Sequence, residues 1–367
     1  MNRKDIPARK KNIRKRIFKV ILCIFLAALV ALGGILLSLQ LSPRVFVGFL
    51  RHSGAFTGKS YIPSFIADKA DMVSVIQNIS YPSNYESNTL DIYYPSNASA
   101  VKATVFWMHG GGFISGDKND IRPFAMGLVQ NGYAVVSINY ALAPETRYPA
   151  PITQLGEAYQ FIIHNLQKYP QLSSDKLIFG GDSAGAQIAS QFVALQSSKS
   201  LRDKMGLKQT IEPQKIKAAV LYCGPYDLKG FDNVEDDFMK LFVQQIGWAY
   251  LGQKSWRETD AASQVSTVAF ITKDYPAAFI TDGNSGSFEI QGKEMAKVLK
   301  QNGVAVQGLF YPASEVVLPH EYQFDYLNYG EQARTCLEQT LDFLNASIGQ
   351  SSAKQADRSP ALQRTGG

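Results

Sequence analysis

Hydrophobic residues are unevenly spread along this 367-residue chain, and the longest apolar run stands close to its start. Val20–Leu37 is 18 consecutive apolar residues, and no charge falls between Lys19 and Arg44. A bilayer-spanning helix needs about 20 mostly apolar residues, so the run predicts a transmembrane segment over 20–41. Beyond it the apolar runs are short and bounded by glycine or polar residues, near 73–81, 89–94, 103–108, 133–139, 176–180, 217–222, 277–281 and 305–311. Runs of that length read as strands. From 103 onward they alternate with helical spacing, as over 152–168 and 184–196. That alternation predicts the α/β class, a mostly parallel central sheet with helices on both faces. The stretch 224–274 is longer than one crossover helix requires and carries Trp248, Tyr250 and Trp256. It reads as a helical cap insertion whose aromatics either shape a pocket or are simply buried.

The pattern divides the chain into a basic tail (1–19), an anchor (20–41), a juxtamembrane segment (42–72), an α/β domain (73–348) and a tail without apolar periodicity (349–367), expected to be disordered. The juxtamembrane aromatics Phe46, Phe49, Phe56, Tyr61 and Phe65 suit an amphipathic helix over the bilayer surface or the substrate crevice, and equally suit core packing. Nine of the 37 basic residues but one of the 31 acidic residues lie in the first 19 positions, so the rest of the chain is near neutral. The high pI therefore belongs to the anchor's flank, where anionic lipid attracts it, and gives no reason to expect a nucleic-acid partner. By the positive-inside bias the tail stays in the cytoplasm and the α/β domain faces outward. A cleaved signal peptide, leaving a secreted domain, is the rival reading, but its apolar region is usually about 7–15 residues long. Three cysteines, Cys23, Cys223 and Cys336, form no disulfide framework, a single Cys223–Cys336 bridge being the one candidate. No metal-ligand spacing or cofactor motif is visible, and oligomeric state is not readable.

Two glycine motifs carry the chemistry. Gly181-Asp182-Ser183-Ala184-Gly185 joins a strand to a helix, so Ser183 occupies a turn whose flanks must be almost free of side chains. A serine hydroxyl needs a base within hydrogen-bond reach and donors for the oxyanion formed on attack. His109-Gly110-Gly111-Gly112 directly follows the strand 103–108, and its bare amides at Gly111 and Gly112, with that of Ala184, are the candidate oxyanion donors.

The chain has four histidines. His52 follows the membrane segment, His109 belongs to the glycine motif and His164 falls inside a helix, which leaves His320, after the last strand, as base. Loops at the carboxyl ends of parallel strands face one crevice, so those after 108, 182 and 311 can meet. For the acid that orients the imidazole, Asp282 is the first carboxylate after the strand 277–281, with Glu289 as alternative; Glu321 is weaker, because neighbouring side chains rarely face each other.

Together with Tyr140-Ala-Leu-Ala-Pro-Glu145 and Tyr148-Pro149-Ala150, these motifs resemble the hormone-sensitive-lipase-like esterases of the α/β-hydrolase fold, over roughly 73–346. The resemblance implies Ser183 as nucleophile, His320 as base, Gly111, Gly112 and Ala184 as oxyanion donors, and Asp182 as a support of the elbow. It breaks at the acid, which the family places a few residues beyond the strand-end glycine, where this chain has Ser285-Gly286-Ser287. Ala186, in place of the family's glycine, is a second departure that removes no donor. The expected activity is hydrolysis of short- to medium-acyl carboxylic esters, small or glycan-linked, through a serine acyl-enzyme. A serine peptidase of the same fold and a non-catalytic recognition domain are the alternatives.

Overall fold

The computed structural model describes residues 5–349 except 55, 57, 59–60, 98–99 and 234–236, and, of these, the side chains from residue 16 on except those of 232 and 233. Most of the tail expected over 349–367 lies outside the described residues. Helix α1 (Asp5–Leu41) runs through the basic stretch into the apolar one, and its portion Arg16–Leu41 is 26 residues long and apolar enough to cross a membrane. A short turn leads into α2 (Arg44–His52) and α3 (Ser64–Ala67). The strands are β1 (Val73–Ser80), β2 (Thr89–Pro95), β3 (Thr104–Met108), β4 (Ala134–Ile138), β5 (Leu177–Asp182), β6 (Ile216–Tyr222), β7 (Ala277–Thr281) and β8 (Val306–Leu309). Between and after them come α4 (Arg122–Gln130), α5 (Ala150–His164), α6 (Ala184–Ser197), α7 (Lys199–Met205), α8 (Asp237–Leu251), α9 (Asp260–Val265), α10 (Glu289–Gln301) and α11 (Gly330–Ser347).

One eight-stranded sheet has the order β1-β2-β4-β3-β5-β6-β7-β8, antiparallel at β1–β2–β4 and parallel from β4 to β8. Phe106 and Met108 of β3 enter one core with Phe179, Ile188 and Leu155, while Val105 and Trp107 enter the other with Ile178, Phe124 and Leu344. Alternate residues pointing to opposite buried faces explain why these strands read as unbroken apolar runs. The last strand is shorter than its apolar run, because β8 is the sheet edge and the chain turns away at Phe310–Pro312. The helix expected to reach 168 ends at His164, capped by Asn165, whose side chain donates to the Phe161 carbonyl. All three cysteines are free; Cys223 donates to Gln323 Oε1 at 3.1 Å rather than bridging to Cys336.

One buried ion pair fixes the loop that follows the glycine motif. Lys118 Nζ lies 3.1 Å from Asp91 Oδ1 on β2, both side chains almost wholly out of water. The Lys118 N–H donates to Asn139 Oδ1, and its carbonyl accepts from Ser137 Oγ at the end of β4. Removing one partner of such a pair leaves an uncompensated buried charge, which costs about 3–5 kcal/mol. Lys118→Met should therefore lower Tm by roughly 5–15 °C; a thermal melt within about 2 °C of wild type would show that the pair is not holding the loop.

Candidate active site

Ser183 is the residue between β5 and α6, and its backbone is left-handed at φ 51°, ψ −119°. A non-glycine residue in such a conformation costs about 1–3 kcal/mol and persists only where its surroundings dictate it. Here the Ser183 N–H donates to the Tyr222 carbonyl of β6 at 2.8 Å, tying the turn to the neighbouring strand. The flanking glycines are required by contact: a Cβ on Gly181 would lie 2.4 Å from Gly185 backbone atoms, and one on Gly185 would lie 2.0 Å from the Met108 carbonyl oxygen. The turn is thus pressed backbone-to-backbone against the end of β3.

That contact brings the glycine motif beside Ser183. Gly111 and Gly112 have φ of 104° and 61°, and a Cβ on Gly111 would strike the Ser115 carbonyl. Among the described residues, the N–H groups of Gly111, Gly112 and Ala184 donate to no protein acceptor. Gly112 and Ala184 border the same cleft as Ser183 and His320, while Gly111 borders the adjoining cavity with Asp182 and Glu321. Asp182 accepts from the Gly110 N–H at 2.8 Å and from Trp107 Nε1 at 2.7 Å, so it fastens the glycine loop to β3 and β5. Burial, reinforced by the Glu321 carboxylate, raises its pKa. His109 stacks on Tyr140 with ring centroids 4.4 Å apart, and burial lowers its pKa to about 4, so it is neutral packing. His52 and His164 bond the carbonyls of Gly48 and Gln160 in their own helices.

His320 places Nε2 2.9 Å from Ser183 Oγ. Its other ring nitrogen meets a hydroxyl instead of a carboxylate: Nδ1 is 2.6 Å from Ser287 Oγ, and Ser287 in turn donates to Asp282 Oδ1. Asp282 thus reaches the imidazole only through Ser287. Glu289, at the start of α10, pairs with Lys293 at 2.8 Å. Glu321 lies 3.8 Å from Nε2, on the Ser183 side of the ring. Ser287 was hidden in the sequence because a serine in a loop gives no acid signal; its one clue was that Ser285-Gly286-Ser287 occupies the position where the family's acid belongs. Burial raises the Asp282 pKa to about 7, opposed by the Ser287 hydroxyl. Burial also lowers the pKa of His320, opposed by Glu321, which keeps the ring neutral at neutral pH.

A cleft of about 810 Å³, including its open mouth, leads to Ser183 and His320. Its walls include Phe231, Phe238, Phe242 and Ile246 from the segment read as a cap, and Phe56 from the juxtamembrane segment. The three aromatics singled out in that segment do not line it: Trp256 is buried against Gly247, Tyr250 stacks on Phe113 at 3.9 Å, and Trp248 is half-buried beside Lys254. Among the described residues one trio could hold a metal, Cys223, Asp282 and His320, with ligand atoms within 4.8 Å of one another. It is a poor fit, because burial keeps the Cys223 thiol protonated and His320 and Asp282 are already held by Ser287.

Comparison with known proteins matches residues 90–290 to the BD-FAE family. The chain belongs to the BD-FAE family. It is 28% identical to an acetyl esterase of Salmonella dublin over 241 residues, 64% of this chain and 70% of that protein. Esterase B of Lactobacillus rhamnosis superposes with a TM-score of 0.67 at 23% identity, covering 87% of this chain and 96% of that one. EstE1, a thermostable carboxylesterase from a metagenomic library, superposes with a TM-score of 0.63 at 17% identity, covering 84% and 98%. The fold is the α/β-hydrolase fold, and this BD-FAE member is a carboxylesterase-like hydrolase similar to the hormone-sensitive-lipase-like esterases.

Asp182→Ala would leave two buried N–H donors without acceptors, at about 1–3 kcal/mol each. Its denaturant midpoint should fall clearly below that of wild type, with Asp182→Asn intermediate. An alanine variant as stable as wild type would remove Asp182 as the support of the glycine loop.

Proposed function

We propose that this hydrolase cleaves short- to medium-acyl carboxylic esters through an acyl-enzyme on Ser183, on the outer side of a membrane in which α1 is the anchor. The observation that carries the reading is the 2.9 Å approach of His320 Nε2 to Ser183 Oγ inside the apolar cleft. Ser183 Oγ attacks the ester carbonyl carbon as its proton passes to His320 Nε2. The new oxyanion is held by backbone N–H groups of Gly112 and Ala184, with Gly111 behind them. Collapse breaks the carbon–oxygen bond to the alcohol, which leaves with the proton from Nε2. Water then attacks the acyl-enzyme, again through His320, and frees the acid and Ser183.

For Nε2 to accept the proton, Nδ1 must carry one and donate it. A hydroxyl accepts and donates at once, so Ser287 takes the Nδ1–H and donates its own hydrogen to ionised Asp282. The acid thus acts through a relay one bond longer than a direct pair, so it stabilises the imidazolium less. When Asp282 gains a proton it becomes a donor to Ser287. The Ser287 hydrogen then turns toward Nδ1 and favours the tautomer with hydrogen on Nε2, which cannot act as base.

The basic flank 1–19 supports a cytoplasmic N-terminus and a catalytic domain on the far side of the membrane. In such an arrangement the α/β domain meets esters outside the cytoplasm.

Hydrolysis of 4-nitrophenyl acetate and butyrate tests the reading. Wild type should turn both over, and Ser183→Ala or His320→Ala should lose roughly 10³-fold or more in kcat; undiminished turnover in either variant would end the assignment. Ser287→Ala should lower kcat roughly 10- to 100-fold with KM little changed. The wild-type kcat should fall as pH drops through about 7, because Asp282 then takes up its proton. In Asp282→Asn that step should vanish, leaving a lower plateau and only the fall set by His320, below its ordinary range. An unchanged pH profile in Asp282→Asn would show that the carboxyl plays no part.

A further inference from the structure

The end of α1 is fastened to the wall of the cleft. Gln245 Nε2 on α8 donates to the Leu39 carbonyl at 3.0 Å, and Lys254 Nζ donates to the carbonyl and Oε1 of Gln40 at 3.1 and 2.6 Å. Phe238 and Phe242, which line the cleft, stand two turns and one turn before Gln245 on the same face of α8. Seven residues of helix are about 10 Å, so Phe238 lies within that distance along α8 of the last turn of the apolar helix. The headgroup layer beyond the hydrocarbon is about 5–8 Å thick on each side, so the cleft mouth sits at or just outside the depth of the lipid headgroups.

The junction is packed onto the α/β domain, and its outer surface is apolar. Phe46, Val47 and Leu50 of α2 are buried in the core, and Arg51 is locked by Glu145 at 2.7 Å and by the carbonyls of Ile114 and Ala143. On the opposite side Leu41, Val45 and Phe49 are 70%, 46% and 65% exposed, Val45 and Phe49 one turn apart, and Phe238 at the cleft mouth is 55% exposed. An exposed apolar strip continuous with a membrane-length helix is what an interfacial helix presents to a leaflet. The occupant it fits is the bilayer that holds α1.

We infer that the cleft opens toward the outer leaflet and that its substrates are esters of amphiphiles resident there, taken up past Phe49 and Phe238 without first dissolving in water. This rests on Ser183 as the nucleophile and α1 as the anchor. The full chain, reconstituted in phosphatidylcholine vesicles containing hexadecyl butyrate, should release butyrate at a rate set by the mole fraction of ester in the bilayer rather than by its bulk concentration. Val45→Asp/Phe49→Asp, which touches neither cleft nor nucleophile, should slow this reaction about fivefold or more while 4-nitrophenyl butyrate hydrolysis stays within about twofold. A rate that follows bulk concentration overturns the inference, as does an equal effect of the double variant on both substrates. A double variant that turns a dimer into a monomer, with the ratio of the two activities unchanged, assigns the strip to a second copy and overturns it too. If wild type hydrolyses neither substrate, the esterase reading itself has failed; hydrolysis of the soluble ester alone would fell only the inference drawn here.

Discussion

Backbone pressed against backbone at the carboxyl end of β3 is the constraint from which the rest of the site follows. Gly185 approaches the Met108 carbonyl closer than any side chain would permit, so the turn bearing Ser183 has a single seat on the sheet. The same approach brings the end of β3, and with it the glycine loop, under the new helix. Asp182, one residue before Ser183, uses its carboxylate to fix that loop through Gly110, so the Ser183 turn and the glycine loop are set by adjacent residues of one turn. The left-handed backbone of Ser183 is the cost of this geometry, and the hydrogen bond to Tyr222 and the buried sheet around it offset the strain.

The relay through Ser287 changes the electrostatics of His320, the proposed base, more than its position. His320 is aimed at Ser183 by two contacts, the Ser287 hydroxyl at Nδ1 and the edge-on ring of Phe288 at 5.2 Å. Neither carries charge. The one carboxylate behind Ser287 is buried deeply enough that its pKa is pushed up to about 7, and Glu321 stands on the opposite, Nε2 side of the ring. Burial lowers the proton affinity of His320 and Glu321 opposes it; Asp282, poised to titrate near neutrality, acts instead on the hydrogen of Ser287, which would couple the tautomer of His320 to pH.

Much of this was legible in the sequence because the responsible patterns are local. The sheet could be read from apolar runs whose residues alternate between two buried faces, as Phe106 and Trp107 do. The glycine motifs, Ser183 and His320 could be read because their spacing relative to strand ends places them on one edge. The relay could not, because it depends on how a loop folds across a gap of 33 residues between Ser287 and His320. Nor could the composition of the cleft: Trp248, Tyr250 and Trp256 are large enough to draw attention, yet burial of their area in the core wins, and the smaller phenylalanines on the inner face of α8 line the cavity instead. Phe49 and Phe56 looked equivalent on paper; the turn after α2 sends the second into the cleft and leaves the first outside.

The proposed reacting centre is shared by a hydroxyl, an imidazole held through a second hydroxyl, and two bare amides. A crystal structure of the phosphonate adduct examines it atom by atom. Phosphorus should be bonded to Ser183 Oγ, with the phosphoryl oxygen about 3 Å from the N–H groups of Gly112 and Ala184, and Ser287 still between His320 and Asp282. Phosphorus on any other residue, or a phosphoryl oxygen turned away from those amides, would contradict it.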